Sequence, residues 1–439
     1  MISSKAIVLY PYLKNSSEDQ GVRVRTPERR LYEAVTLCHA IDLDVCESHI
    51  FPLRRIEPAT ILTSGKLEEL SENILFHKAE LLIIDAAVTP VQQRNLERKL
   101  KVKVLDRIGL ILEIFGKRAA TKEGKLQVEL ARLSYQKSRL VKAWSHLERQ
   151  RGGGGFTGGP GETQKEADRR MIDEAIKRIE KKLVNVVKTR DLHRKARKKV
   201  PYPIVALAGY TNAGKSTLFN RMTEAEVLEA DMLFATLDPT LRTIKLSTVD
   251  KIILSDTVGF ISELPTELVK AFRATLEEVT QADLILHIRD ISHPETDIQK
   301  QDVIQVLSSL GVKDKIPIIE VFNKIDLLLE EDLGEEKLAA FSAENKAASV
   351  KTVFCSALKN DGIDAVKLAV QAFLDQKKTI YKVEVLTMEG KAIAALYQYT
   401  HILQKHNLDD EKILFEIQTD QKNLGYIQKE FPELIFVEV

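Results

Sequence analysis

Short apolar runs separated by polar turns open this chain, and longer amphipathic stripes follow them. Residues 5–10 (KAIVLY), 79–88 (AELLIIDAAV) and 102–106 (VKVLD) read as strands. Residues 33–41 (EAVTLCHAI) and 90–100 (PVQQRNLERKL) carry helical spacing. Strands alternating with helices predict a small parallel α/β domain over residues 1–115. The pattern then changes. Leu126, Leu130, Leu133, Leu140, Trp144 and Leu147 fall at a/d-type positions, with Lys137 the one polar break, and Ile172, Ala175, Ile179, Leu183 and Val186 repeat the stripe. Two such stripes joined by a short break predict an antiparallel helical hairpin over residues 116–200; two helices packed separately on neighbouring domains are the alternative.

The predicted tip of the hairpin is RGGGGFTGGPGE, Arg151 to Glu162. Glycines this dense cannot hold a core, and they let backbone approach a partner closely. A plain flexible linker is the other reading, although a linker seldom joins two matched amphipathic helices. Val200-Pro201-Tyr202-Pro203 stops the second arm. From there PIVALA, KIILS, IPIIEVF and TVFC are buried-strand runs, and STLFNRM opens a helix. They place a second α/β domain at residues 201–376. The tail, 377–439, reads strand (IYKVEVL), helix (GKAIAALYQYT), strand (KILFEIQ), helix (QKNLGYIQKEF), strand (LIFVEV), a small α+β appendage with no obvious chemistry. The fold class is therefore multidomain α/β.

Composition narrows the picture. The 439 residues suffice for about three domains with sizeable cores. A net charge of +1 gives no overall basic bias, so any nucleic-acid surface must be local. Such a surface has candidates: Arg149, Arg151, Arg169 and Arg170 flank the glycine break, and Arg194-Lys195-Ala196-Arg197-Lys198-Lys199 is the densest basic run. That run is either a solvated helix face or a phosphate-backbone contact. Gly152, Gly153, Gly154 and Gly155 would bring backbone to the same partner. Three cysteines (Cys38, Cys46, Cys355) form no C-x-x-C pair, which argues against zinc or a disulfide framework. His39 and His77 are isolated and read as packing or surface residues. Ser64-Gly65-Lys66 is too common a pattern to mark a second nucleotide site. The absence of a long apolar run or a signal-peptide pattern predicts a cytoplasmic protein without a membrane span, loose membrane association being the alternative; a monomer is expected.

The chemistry is concentrated in four short motifs. Gly209-Tyr210-Thr211-Asn212-Ala213-Gly214-Lys215-Ser216 fits G-x-x-x-x-G-K-[ST] between a strand and a helix, with Thr217 in the first helical turn. Backbone N–H groups of such a loop cradle phosphates, Lys215 reaches the β- and γ-phosphates, and the Ser216 hydroxyl holds Mg²⁺. Asp256-Thr257-Val258-Gly259 fits D-x-x-G, with Asp256 on Mg²⁺ through water and the Gly259 N–H on the γ-phosphate. Asn323-Lys324-Ile325-Asp326 lies at the carboxyl end of a strand. A carboxylate at Asp326 accepts from guanine N1–H and its exocyclic amine; adenine offers the opposite donor pattern, so GTP is selected over ATP. Ser356-Ala357-Leu358 resembles the loop that contacts guanine O6. Between the first two motifs, Phe234-Ala235-Thr236-Leu237-Asp238 lies in the expected switch I, where Thr236 and Thr240 both offer a hydroxyl for Mg²⁺. Lys215, Thr236 and Gly259 are expected to support phosphoryl transfer.

One catalytic part is missing. Ras-like enzymes place a glutamine directly after D-x-x-G to orient the attacking water; here that position is Phe260, followed by Ile261. Slow intrinsic hydrolysis follows, whether the switch only binds GTP or a partner repositions the water. Asn212 resembles the asparagine that supports K⁺ binding beside the phosphates in some GTPases; a loop-stabilising asparagine is the alternative.

Over residues 201–376 the chain resembles a translation-factor-class GTPase. RAATKEGKLQVELARLSY, the break RGGGGFTGGPGETQ, EADRR, GYTNAGKSTLFN, FATLDPT and DTVGFI resemble the HflX-type GTPases over roughly residues 22–376. Lys165 departs from the apolar residue usual there. The resemblance makes Thr236, in F-x-T-L-x-P, the Mg²⁺ ligand of switch I. It implies a factor that binds the large ribosomal subunit, its hairpin tip directed toward rRNA of the peptidyl-transferase region, and that splits stalled or stress-arrested ribosomes. Some members also use ATP through the N-terminal domain, where this sequence offers no motif for it. A GTP-gated assembly or anti-association factor, and a switch for a non-ribosomal protein, are the competing functions.

Overall fold

The computed structural model describes residues 4–13, 25–150, 160–197, 202–223, 240–246, 251–257, 259–262, 279–312, 316–329, 351–376, 378–409 and 411–439, with the side chains of 141–150, 160–165, 187–197 and 422 not described. β1 (Lys5–Leu13), α1 (Pro27–His39), β2 (Asp44–Leu53), α2 (Ser64–His77), β3 (Leu81–Ile84), α3 (Pro90–Leu100) and β4 (Lys103–Asp106) form a parallel sheet in the order β2-β1-β3-β4. Buried on both faces, β3 is apolar throughout, as parallel strands require. The helix starts are written locally. Thr26 caps α1 ahead of Pro27, and Thr89 and Gln92 make a reciprocal capping box at α3 ahead of Pro90. The Asp106 carboxylate accepts from the Gly109 N–H at 2.8 Å and starts α4 (Arg107–Arg118). β2, α2 and α4 stand where the apolar pattern announced no element. Ser64-Gly65-Lys66 is the first turn of α2, and Lys66 is used locally, on Glu69 at 2.8 Å and over the Phe51 ring.

α5 (Lys122–Gln150) and α6 (Pro160–Arg197) form the antiparallel hairpin, roughly 44 and 57 Å long at 1.5 Å per residue. Two details depart from the sequence pattern. The deepest positions of α5 are Leu126, Val128, Ala131 and Gln127, while Leu130, Leu133 and Leu140 are half-buried. The first turns face α4 and its Phe115 rather than only the partner arm. Pro160–Glu162, expected in the tip, belong to α6: proline at the first helical position loses no hydrogen bond. Lys137, the polar break, meets Asp173 of the other arm at 2.5 Å. The Trp144 and Leu147 side chains, residues 151–159 and residues 198–200 lie outside what is described.

β5 (Ile204–Gly209), α7 (Lys215–Thr223), β6 (Thr240–Lys245), β7 (Lys251–Asp256), β8 (Leu284–Asp290), α8 (Thr296–Ser309), β9 (Ile318–Asn323), α9 (Ile325–Leu329), β10 (Thr352–Phe354) and α10 (Ile363–Asp375) form the G domain. Its sheet runs β10-β9-β8-β5-β7-β6, parallel except for β6. The strand order reverses about β5, so the crevice at its carboxyl end is the ligand position of a doubly wound sheet.

The tail, β11 (Thr379–Leu386), α11 (Gly390–Tyr399), β12 (His401–Asn407), β13 (Lys412–Thr419), α12 (Gln421–Glu430) and β14 (Phe436–Glu438), is an antiparallel sheet ordered β12-β13-β11-β14. This is the β-α-β-β-α-β topology, more specific than the α+β pattern expected. No described helix is long and apolar enough to cross a membrane.

Candidate nucleotide site and its link to the N-terminal domain

The phosphate loop leaves β5 at Gly209, where a Cβ would come within 2.2 Å of the Ile288 carbonyl oxygen. Only glycine fits. Asn212 and Gly214 take positive φ, 61° and 87°, and a Cβ on Gly214 would lie 2.1 Å from Asn323 Nδ2. The loop thus curls so that successive N–H groups precede α7, the arrangement that attracts phosphate. Lys215 is buried, and its Nζ donates to the Tyr210 carbonyl at 2.7 Å. Burial lowers its ammonium to about 8, with the Asp256 carboxylate opposing the shift. Ser216 Oγ donates to Asp256 Oδ2 at 2.8 Å, bringing together the two side chains expected around Mg²⁺. Thr257 ties β7 to β5 through the Leu207 carbonyl at 2.5 Å.

Asn323 joins the distant motifs. Its Nδ2 donates to the Ala213 carbonyl at 2.9 Å, and its Oδ1 accepts from the Ala357 N–H at 2.9 Å. The phosphate loop, the N-K-I-D motif and the Ser356–Leu358 loop therefore share one amide as a staple. Arg221 of α7 secures the last of them through the Ala357 carbonyl at 3.1 Å and the Leu358 carbonyl at 3.3 Å. Asp326 Oδ1 is buried with no hydrogen-bond partner among the described residues. Lys324, at φ 67°, reaches Asp290 at 2.9 Å, and Ile325 packs in a small core with Ile291, Phe322 and Leu328. Asn212, Thr217 and Leu358 lie at the rim, Leu358 well exposed.

Phe260 points into the core, 2% exposed. Its N–H donates to the Gly209 carbonyl at 3.1 Å and its carbonyl accepts from the Thr211 N–H at 2.7 Å, so the segment after D-x-x-G is laid along the phosphate loop like an added strand. Beneath it lies a network that no motif signalled. Arg107, at the start of α4, binds Asp85 Oδ1 and Glu33 Oε1, both at 2.6 Å, and donates to Ser262 Oγ at 2.8 Å. Arg25 binds Glu33 at 2.6 Å, the Tyr210 hydroxyl at 2.9 Å and Asp302 of α8 at 2.5 Å. The Tyr210 hydroxyl accepts from the Ser262 N–H at 2.8 Å. Burial opposes ionisation of Glu33, yet the guanidiniums of Arg107 and Arg25 hold its carboxyl below the usual range. The same burial outweighs Arg107 at Asp85 and pushes that carboxyl up. N-terminal sheet, phosphate loop and the segment after D-x-x-G thus meet in one buried charge cluster.

Phe234–Asp238 and Val258 lie outside the described residues, as do Arg151, Gly152–Gly155, Lys198 and Lys199. For Arg149, Arg194, Lys195 and Arg197 the helical backbone is described without the side chain. Arg169 and Arg170 are exposed on α6, Arg169 4.0 Å from Asp173.

Family models match three successive parts of the chain: a GTP-binding GTPase N-terminal region over 28–116, a GTP-binding GTPase middle region over 118–197, and a 50S ribosome-binding GTPase over 204–324. The GTPase HflX of Magnetococcus marinus is 43% identical over 403 residues, covering 92% of this chain and 91% of that one. The GTPase HflX of Escherichia coli is 42% identical over 378 residues, 86% of this chain and 87% of its own. A GTP-binding protein of Sulfolobus solfataricus, solved in complex with GDP, is 25% identical with a TM-score of 0.46, covering 85% of this chain and 99% of that one. With two relatives above 40% identity matched along most of both lengths, the chain belongs to the HflX family of GTPases.

Proposed function

We propose that this GTPase binds the large ribosomal subunit and uses its GTP state to split stalled or stress-arrested ribosomes. The observation that carries the reading is the hairpin: two helices of 29 and 38 residues, joined across a glycine-dense break, beside a G domain matched by a 50S ribosome-binding GTPase model. A rod of this length, with Arg169 and Arg170 exposed along α6 and a basic end, suits insertion into folded RNA. Its tip residues, Arg149, Arg151 and Gly152–Gly155, would contact rRNA, and Arg194, Lys195, Arg197, Lys198 and Lys199 would hold phosphates near the G domain.

Within the crevice, Gly209–Thr217 cradle the phosphates, Asp326 reads guanine N1–H and its amine, and Ser356–Leu358 approach O6. The orphaned Asp326 oxygen supports guanine, because a buried acceptor without a partner is costly unless a ligand supplies one. The donor set of Ser216 and Asp256 fits a hard cation that takes oxygen ligands. When bound, Mg²⁺ neutralises charge on the β- and γ-phosphates. Thr236 of the segment Phe234–Asp238 completes that set, Asp256 acts through water, Thr257 and Val258 carry the turn, and the Gly259 N–H receives the γ-phosphate. A K⁺ ion beside Asn212 would be read by comparing hydrolysis in K⁺ and Na⁺. Hydrolysis without the ribosome is slow, since Phe260 is committed to the core.

Sedimentation decides the role. GTP-locked protein mixed with intact ribosomes should yield free subunits, Lys215→Ala should abolish the effect, and deletion of residues 152–161 should abolish ribosome binding. Binding without dissociation would instead fit an assembly or anti-association factor. Unchanged binding by the deletion would point to a non-ribosomal partner.

A further inference from the structure

No glutamine directly follows Gly259 in the sequence, and among the described residues Thr211 carries an unpartnered buried hydroxyl on a side chain that packs against that glycine. This side chain is 6% exposed, and its Oγ1 is buried without a hydrogen-bond partner among the described residues. Such groups are rare in folded proteins and each one asks for a reason. Thr211 is the third residue of the phosphate loop and packs directly on Gly259. A Cβ built on that glycine would lie 2.8 Å from Thr211 Cγ2, 3.0 Å from its Cα and 3.0 Å from Lys215 Nζ. The contact is held from both sides, because the Thr211 N–H donates to the Phe260 carbonyl and the Phe260 N–H to the Gly209 carbonyl.

We infer that the Thr211 hydroxyl orients the attacking water in GTP hydrolysis, in place of the side chain that Phe260 cannot supply. Whatever binds the Gly259 amide lies within one side chain's reach of Thr211. The methyl branch faces Gly259, and a χ1 rotation of about 120° exchanges methyl and hydroxyl between staggered wells. A hydroxyl there offers one donor and two acceptor sites. It can accept from the water and donate to a γ-phosphoryl oxygen at once. The water oxygen bonds to phosphorus as the bond to the GDP oxygen breaks, and the water proton leaves with the released phosphate. Threonine ends the cycle unchanged, acting by position and not as a base.

The test uses the full chain without ribosomes, so its outcome does not depend on the ribosomal reading. Single-turnover GTP hydrolysis, mant-GTP and mant-GDP affinity, and binding of GDP with aluminium fluoride are measured for wild type, Thr211→Val, Thr211→Ala and Thr211→Ser. Thr211→Val keeps both branches and removes the hydroxyl. It and Thr211→Ala should hydrolyse about a hundredfold to a thousandfold more slowly, the range for one lost transition-state hydrogen bond, with mant-nucleotide affinities little changed and aluminium fluoride binding lost. Thr211→Ser should keep rate and aluminium fluoride binding close to wild type. The inference is overturned if Thr211→Val matches wild type, or if Thr211→Ser is as slow as Thr211→Val, which would assign the effect to the methyl group. Parallel loss of mant-GDP binding in both hydroxyl-free variants would make the role structural and overturn it as well.

Discussion

At the scale of single residues, burial and charge make two side chains sensitive probes of the crevice. Lys215 is almost fully covered, and desolvation brings its ammonium down to about 8. Phosphate binds the charged form, so nucleotide binding is linked to proton uptake above that value. The sign follows: affinity for mant-GDP is highest below pH 8 and falls as pH rises, by up to about tenfold per pH unit. Titrations between pH 7 and 9.5 read this directly, and a flat profile would mean that the ammonium stays charged in the empty site. Asp326 is the second probe. Asp326→Asn replaces a carboxylate acceptor by an amide, and two charge-assisted bonds at roughly 1.5–3 kcal/mol each are at stake. GTP affinity should drop about a hundredfold or more, while XTP, whose base carries a carbonyl where guanine has an amine, gains. Competition between the two nucleotides for mant-GDP measures the exchange; equal losses for both would remove Asp326 from base recognition.

Among the elements, β8 and β9 show what hydrophobic patterning can and cannot reveal. β8, LILHIRD, is wholly buried although it carries His287, Arg289 and Asp290. Arg289 meets Glu320 of β9 at 2.9 Å and Asp297 at 2.6 Å, lies over the Phe322 ring at 4.5 Å, and shares Glu320 with Lys300. Burial resists ionisation of Glu320, but Lys300 and Arg289 hold its carboxyl below the usual range. Glu320→Gln leaves buried Arg289 with Asp297 as its one remaining carboxylate among the described residues and should cost about 3 kcal/mol, seen as a lower urea midpoint at unchanged m-value. An unchanged midpoint would mean that Asp297 alone balances Arg289. Strands with continuous apolar runs, such as β1, β3 and β5, were legible because two-sided burial demands that composition. β12, HILQKHN, was not: it pairs on one edge and is exposed along most of its length, so no alternation marks it. β6, also at an edge, and α4, whose apolar face is shared with α5, escaped for related reasons. The candidate site was legible as contiguous motifs, since the residues of each motif sit beside one another in sequence. The staple through Asn323 was not, because it links residues 110 and 34 positions away.

At the scale of the whole molecule, the charge cluster of Arg25, Glu33, Asp85, Arg107, Ser262 and Asp302 ties the N-terminal sheet to the segment after Gly259. Its members are up to 277 positions apart, which is why spacing could not expose them. Ser262 stands three residues after Gly259, and Phe260 and Ile261 between them share a buried apolar cluster with Leu37 of α1, Leu110 and Phe115 of α4, and Ala208 of β5. A γ-phosphate held by the Gly259 N–H would pull on this segment, and the segment cannot move without disturbing Arg107 or Glu33. Nucleotide state should therefore be transmitted to α1 and α4. Hydrogen exchange on the full chain, comparing GDP with a non-hydrolysable GTP analogue, should show protection changes at residues 30–37 and 107–112 as well as at the phosphate loop. Arg107→Gln, which withdraws the guanidinium from Glu33, Asp85 and Ser262 together, should confine the change to the G domain, because Arg107 ties α4 to the Glu33 and Ser262 groups that the Tyr210 hydroxyl also contacts. If exchange at α1 and α4 is indifferent to the nucleotide in the wild-type chain, the cluster is a static weld between domains.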